Sequence, residues 1–157
     1  MKTETRTAPL ETETPVVAAL RRTLGGTYGL MALAHEAHWN VEGSDFFSLH
    51  QAFQEQYENL FAASDEIAER LRALGARAPG GLRTLADLAQ LEEPRGPLSA
   101  RDTVTALVAA HAKVLNDLKS LRDTAGEHGD PETEDLAIGR IAWHQKTLWM
   151  LKSYLKT

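Results

Sequence analysis

Four long stretches of this chain repeat their apolar residues every three or four positions, and turn-forming residues are confined to a few places between them. Strand-like alternation is hard to find. Such a pattern restricts the chain to an all-α fold. The first helix is expected to start near Pro15 and to carry Val17, Leu20, Leu24, Met31 and His38 on one stripe. Gly25 and Gly26 weaken it locally, which predicts a slight kink or a close contact with another helix. Ser44 or Asp45 is placed to cap a second helix by accepting from its free N–H groups. Its apolar positions include Phe46, Leu49, Phe53, Tyr57, Leu60, Phe61, Ile67, Leu71 and Leu74, and Gly75 is a stop signal.

The connection ARAPGGLRTLADLAQLEEPRGP has room for a short helix over Leu82 to Leu88. A crossover this long joins helices that need not be adjacent antiparallel neighbours. Ser99 and Asp102 form a capping-box-like start for the next long helix, which ends near Gly126–Gly129 and buries Val104, Val108, His111, Leu115 and Leu118. Asp130-Pro131 supplies an N-cap and first-turn proline for the last, with Ala137, Ile141, His144, Leu148, Leu151 and Leu155 as its stripe. The expected architecture is one four-helix bundle domain over 15–157 behind a flexible tail over 1–14, a segment rich in Thr and Glu.

The absence of cysteine excludes disulfides and thiolate metal sites. No run approaches the ~20 apolar residues of a membrane span, and the first residues lack the apolar core of a secretory signal. Cytoplasmic localisation is therefore the expectation. The net charge of −5 opposes non-specific binding to a polyanion.

One stretch concentrates the chemistry. His38 and His50 flank the break at Gly43-Ser44-Asp45, so a helical hairpin there would set two imidazoles at similar heights. Asp65 and Glu69, four apart, stack on one helix face. His50, Gln54, Asp65 and Glu69 fall within roughly 100° of one another around the second helix. Yet from His50 to Asp65 is ~22 Å at about 1.5 Å per residue, while ligand bonds are only about 2.0–2.2 Å. Either the two halves are unrelated, or a second, antiparallel copy of the helix sets its Asp65–Glu69 pair opposite His38 and His50. An isologous two-fold contact would make two such sites at once.

HWNVEGSDFFSLHQAF followed by DEIAERLRALG strongly resembles the Dps family, the dodecameric mini-ferritins named as DNA-binding proteins from starved cells. The short crossover helix, the DPETEDL opening of the last helix and its TLWML end resemble that family as well. The resemblance covers most of the chain and implies a ferritin-like bundle assembled as a homododecamer. It further implies oxidation of Fe(II), preferentially by hydrogen peroxide rather than oxygen, with Fe(III) mineral stored inside: a ferroxidase that protects against oxidative damage. The ligands carried over are His38 and His50 from one subunit and Asp65 and Glu69 from its two-fold mate. Trp39 resembles the family tryptophan that absorbs oxidising equivalents beside the site. Imidazole and carboxylate ligands also suit Zn, Mn and Co, so ligand type alone does not select iron.

This sequence departs from the family at Gln54, where an aspartate is usual. A neutral amide oxygen is a weaker ligand for a hard cation. Glu55 points about 100° away around the helix, and Glu58 lies ~12 Å from His50 along the axis, so neither replaces the lost carboxylate within the chain. An alternative expectation is thus a metal-binding or DNA-protecting shell with weakened ferroxidase activity; another is a plain bundle with structural histidines.

His35 reads as a second-layer or solvent residue, and His111 and His144 as hydrogen-bonded core histidines. Trp143 and Trp149 read as packing or interface residues. Acidic residues near the last interhelix junction (Asp123, Glu127, Asp130, Glu134 and Asp135) are candidates for an iron-uptake pore or for simple capping. DNA binding is expected to be weak, because Lys2 and Arg6 are balanced by Glu4, Glu11 and Glu13, and the C-terminal end offers only Lys152 and Lys156. Any nucleoid association would depend on that weak binding.

Overall fold

A computed structural model describes residues 13–156. Among them the chain forms α1 (Pro15–Asn40), α2 (Phe46–Ala73), α3 (Leu82–Ala89), α4 (Ala100–Glu127) and α5 (Pro131–Tyr154), with no strand. α1 packs against α2, α4 and α3, and α4 packs against α5. This is an all-α four-helix bundle with an extra short helix in its crossover. The tail expected over 1–14 lies, as far as residue 12, outside the described residues.

Local chemistry sets the helix ends. The Thr14 hydroxyl accepts from the Val17 N–H at 3.2 Å, with Pro15 in the first turn where its missing N–H costs nothing. Ser99 Oγ accepts from the Asp102 N–H at 3.0 Å and donates to the Asp102 carboxylate at 2.7 Å. Asp130 accepts from the Thr133 N–H at 3.1 Å. At α2 the expected cap is corrected. Asp45 holds the N-cap position, but with φ −96° and ψ 13° it lacks the extended backbone from which a side chain reaches back to the helix. Its carboxylate instead accepts from the Tyr154 hydroxyl at 3.1 Å, tying the end of α5 to the turn between α1 and α2.

The glycines of α1 serve a close contact. A Cβ at Gly25 would meet Leu88 Cβ at 2.5 Å and the Ala89 nitrogen at 2.9 Å; one at Gly29 would meet Ala89 Cβ at 2.9 Å. Gly26 faces α4 instead, where Val114 Cγ2 lies 3.3 Å from such a Cβ. α1 remains one unbroken helix, and the small residues let α3 lie directly on it.

The core falls into two clusters. One gathers Leu30, Leu49, Phe53, Leu60, Val114 and Leu118 near the α1–α2 turn; the other gathers Val17, Leu20, Leu24, Ile67, Leu71 and Leu121 toward the opposite end. Two residues expected in the apolar stripe of α2 are corrected: Phe61 is 65% exposed and Leu74 37% exposed. Leu74 follows the last residue of α2, and Phe61 lies on the face that turns away from the bundle.

Inside the bundle, His111 and His144 are fully buried with their Nδ1 atoms 2.9 Å apart. His111 Nε2 lies 3.1 Å from Gln56 Oε1. The amide oxygen can only accept, so His111 carries its proton on Nε2 and its Nδ1 accepts from His144 Nδ1–H. The chain of bonds leaves His144 Nε2 bare, and it has no partner among the described residues. Burial, reinforced by the Arg140 charge, pulls His111 from 6.5 down to about 3. Burial, His111 and Arg140 together pull His144 to about 2. Both rings are therefore neutral in the folded chain where the unfolded chain would take up protons.

Gly25→Ala should lower stability by about 1–3 kcal/mol through overpacking against α3; an unchanged thermal midpoint would contradict the close approach. Because the unfolded histidines bind protons first, stability should fall as pH drops from 6.5 toward about 3. Urea midpoints across that range should decline less steeply in a His111→Phe/His144→Leu variant, and an equal slope in both proteins would place the acid sensitivity elsewhere.

Candidate metal centre

The turn between α1 and α2 brings His38 and His50 face to face, with ring centroids 3.6 Å apart and planes 20° from parallel. His38 Nδ1–H donates to the His50 carbonyl at 2.8 Å, and His50 Nδ1–H donates to the His38 carbonyl at 2.7 Å. The second bond engages one of the carbonyls that the C-terminus of α1 leaves without a helical partner. A carbonyl cannot donate, so both rings must hold a proton on Nδ1. Each Nε2 is then left with its lone pair free unless the ring is doubly protonated. Imidazoles that bind metals are ordinarily oriented in this way, by a backbone carbonyl on the other nitrogen.

Aromatic rings brace the pair. Phe46 stacks on His50 at 4.9 Å, and Tyr57 meets His38 edge-on at 5.2 Å. His35 lies between Trp39, at 4.1 Å, and Tyr57, at 4.2 Å. It thus belongs to the wall of the site, with its ring 6.4 Å from that of His38. Trp39 is 64% exposed. Phe46 and Tyr57 were recognised in the sequence only as members of an apolar stripe, where nothing distinguishes a residue bracing these histidines from one filling the core.

Asp65 and Glu69 are exposed on α2 and have no partner among the described residues. Within this chain they are not brought to the histidines. Indeed, no group of three or more His, Asp and Glu side chains converges on a possible metal position among the described residues. Gln54 is half-buried, and its amide nitrogen donates to Glu58 at 2.8 Å. Phe47, 84% exposed, and Phe61 share this face. At 100° per residue, positions 47, 54, 58, 61, 65 and 69 fall within about 80° of one another.

Next to Glu69, Arg70 turns inward. Its Nε donates to Thr133 Oγ1 at 2.8 Å and its NH2 to Asp130 Oδ1 at 2.7 Å, joining α2 to the start of α5. Burial alone would push Asp130 up, but the Thr133 hydroxyl and N–H, with Arg70, hold its carboxyl below the usual range. Of the pore candidates, Asp130 is therefore committed within the subunit. Asp135 and Glu127 are exposed, Asp123 pairs with Arg122 at 2.7 Å, and Glu134 is half-buried beside Gly126. The two other residues expected at interfaces separate: Trp149 is exposed, whereas Trp143 packs against the core and carries the Arg140 guanidinium 4.5 Å above its ring.

Comparison with known proteins gives one consistent answer. The ferritin-like domain family matches residues 17–157. A DNA protection during starvation protein of Brevibacillus brevis is 32% identical over 141 residues, covering 90% of this chain and 95% of its own length. A low temperature-induced protein of Nostoc is 36% identical over 143 residues, covering 90% of this chain and 80% of its own. Among solved structures, Dps from Staphylococcus aureus superposes with a TM-score of 0.87 at 32% identity, covering 90% of this chain and 95% of that one. Dps from Vibrio cholerae, described as a member of a broad superfamily of ferritin-like diiron-carboxylate proteins, gives 0.86 at 31%, with coverages of 90% and 89%. Fold, helix order and sequence agree that this chain belongs to the Dps family of ferritin-like proteins.

Proposed function

We propose that this protein is a mini-ferritin that binds and oxidises Fe(II) at centres shared between subunits, each built from His38 and His50 of one chain and Asp65 and Glu69 of its two-fold mate. The carrying observation is the reciprocal lock on the two histidines. It leaves both Nε2 atoms for a ligand, on a surface whose own carboxylates lie too far along α2 to reach them. Exposed Phe47 and Phe61 on the same stripe support a covering subunit, since large apolar side chains gathered on one face favour burial against a partner. An antiparallel mate brings carboxylates to histidines twice, by symmetry.

In this reading Fe(II) is a substrate. Two neutral imidazoles and two carboxylates provide two negative charges, which favour Fe(III) over Fe(II) as the charge rises. Hydrogen peroxide is the preferred oxidant, with oxygen slower. Each peroxide accepts one electron from each of two Fe(II) ions and, with two protons, leaves as two waters. No hydroxyl radical is released. Trp39 stands beside His38 as a sink for stray oxidising equivalents, and Fe(III) mineral accumulates in a hollow shell of twelve subunits. Glu134 and Asp135, with Asp123 and Glu127, remain the acidic side chains for an uptake pore, whereas Asp130 serves the N-cap and Arg70. Zn, Mn or Co would compete for the same ligands.

Gln54 favours a second, weaker version of this reading. The usual carboxylate is missing, so one of the two iron positions is held less tightly and oxidation is slowed. With a net charge of −5, DNA protection by direct binding is secondary. The protein is expected to act in the cytoplasm; no helix among the described residues is long and apolar enough to cross a membrane.

Size and stoichiometry test the proposal together. The assembly should elute at about 208 kDa, twelve times 17.3 kDa. Stopped-flow mixing of the metal-free assembly with Fe(II) and peroxide should consume about one peroxide per two irons. Gln54→Asp should raise both Fe(II) occupancy and rate. A monomer without peroxide-dependent iron oxidation would refute the reading, and an unchanged or lower rate in Gln54→Asp would refute the role given to the glutamine.

A further inference from the structure

Gln54 is not left to adopt either amide orientation. Its neighbour one turn on, Glu58, receives a hydrogen bond from the amide nitrogen at 2.8 Å. An ionised carboxylate only accepts, so the NH2 group must face Glu58 and the amide oxygen must face away from it. His50 lies one turn before Gln54, on the side opposite Glu58. The other nearby acid, Glu55, is engaged differently, accepting from Gln51 Nε2 at 3.2 Å.

We propose that Gln54 and Glu58 act as one unit in place of the missing carboxylate, with Gln54 Oε1 as a ligand and Glu58 as its positioning residue. The inference rests on the inter-subunit site proposed above. Glu58 lies about 12 Å along α2 from His50, too far to reach the same cation. It acts through the amide in two ways. It fixes which end of the amide is presented, which saves the ordering that a free glutamine would lose on binding. It also polarises the amide: negative charge drawn to the N–H end raises electron density on the oxygen, as linked hydrogen bonds strengthen one another. The carboxylate charge is thus relayed, attenuated, to the atom that would face the metal. The cation served is a divalent ion that accepts mixed nitrogen and oxygen ligands.

The test is a double-mutant cycle on the full assembly, read by Co(II) affinity from calorimetry and from the visible absorption of the bound ion. Removal of a residue that orients a ligand typically costs 10–100-fold in metal affinity. Glu58→Ala should therefore weaken Co(II) binding by at least about tenfold. In a Gln54→Ala background the same change should matter by less than about threefold, because no amide remains to be positioned. Glu58→Gln, which keeps the shape and an acceptor oxygen but loses the charge, should fall between the two. Size-exclusion chromatography confirms that each variant remains assembled.

Equal losses from Glu58→Ala in both backgrounds would overturn the proposal, since Glu58 would then act only as a distant negative charge. No loss in the native background would overturn it too. Failure of the native assembly to bind Co(II) in a manner abolished by His38→Ala is a separate result: it would remove the site itself, and this inference with it.

Discussion

The reciprocal hydrogen bonds between His38 and His50 are the constraint on which the candidate site depends. Each ring reaches across the α1–α2 hairpin to the other's carbonyl, so one contact closes the hairpin, engages a helix-end carbonyl and assigns both tautomers. A histidine on an exposed helix usually samples several rotamers. Here the rings are stacked, and Phe46 and Tyr57 close their flanks. The orientation of both rings is set by backbone acceptors within the chain itself.

The rest of the bundle holds that hairpin in place. Tyr154, at the far end of the chain, bonds Asp45 in the turn itself. Arg70 anchors the carboxylate-bearing end of α2 to the N-terminus of α5, and Arg140 reaches Asn59 from α5 at 2.8 Å. These contacts are polar, as is the Gln56–His111–His144 chain, so α2 is fixed in register by directional bonds as well as by apolar packing. Its outer face is then free to carry Gln54, Glu58, Asp65 and Glu69 along with two exposed phenylalanines. One helix serves two surfaces with different chemistries.

Three of the helix starts were legible in the sequence because each was written locally: Pro15, Ser99 with Asp102, Asp130-Pro131. The meeting of His38 and His50 was legible because the two residues flank one short turn between helices. What was not legible depends on contacts between distant segments. The sequence allowed a kink or a close contact at Gly25 and Gly26; the structure shows the contact, with Gly25 and Gly29 against α3 and Gly26 against α4. Asp45 reads as a capping residue, yet a tyrosine 109 residues away takes its carboxylate. Phe61 fits the apolar pattern of α2 and still faces out, because the residue type alone does not fix which side of a helix meets the bundle. Gln54 was visible as a departure, whereas its bond to Glu58 depends on side-chain geometry that spacing permits without requiring.

Each proposed site needs two chains, and subunit mixing tests that requirement most directly. A His38→Ala/His50→Ala variant and an Asp65→Ala/Glu69→Ala variant should each be inactive in iron oxidation. When they are unfolded together in equal amounts and reassembled, half of the two-fold pairs should be mixed. Each mixed pair has one site with intact histidines from one chain and intact carboxylates from the other, so about one site in four should recover. Recovery near that level, in both Fe(II) binding and peroxide consumption, is the predicted result. Mixed assemblies as inactive as their parents would contradict the account and place the site within a single chain.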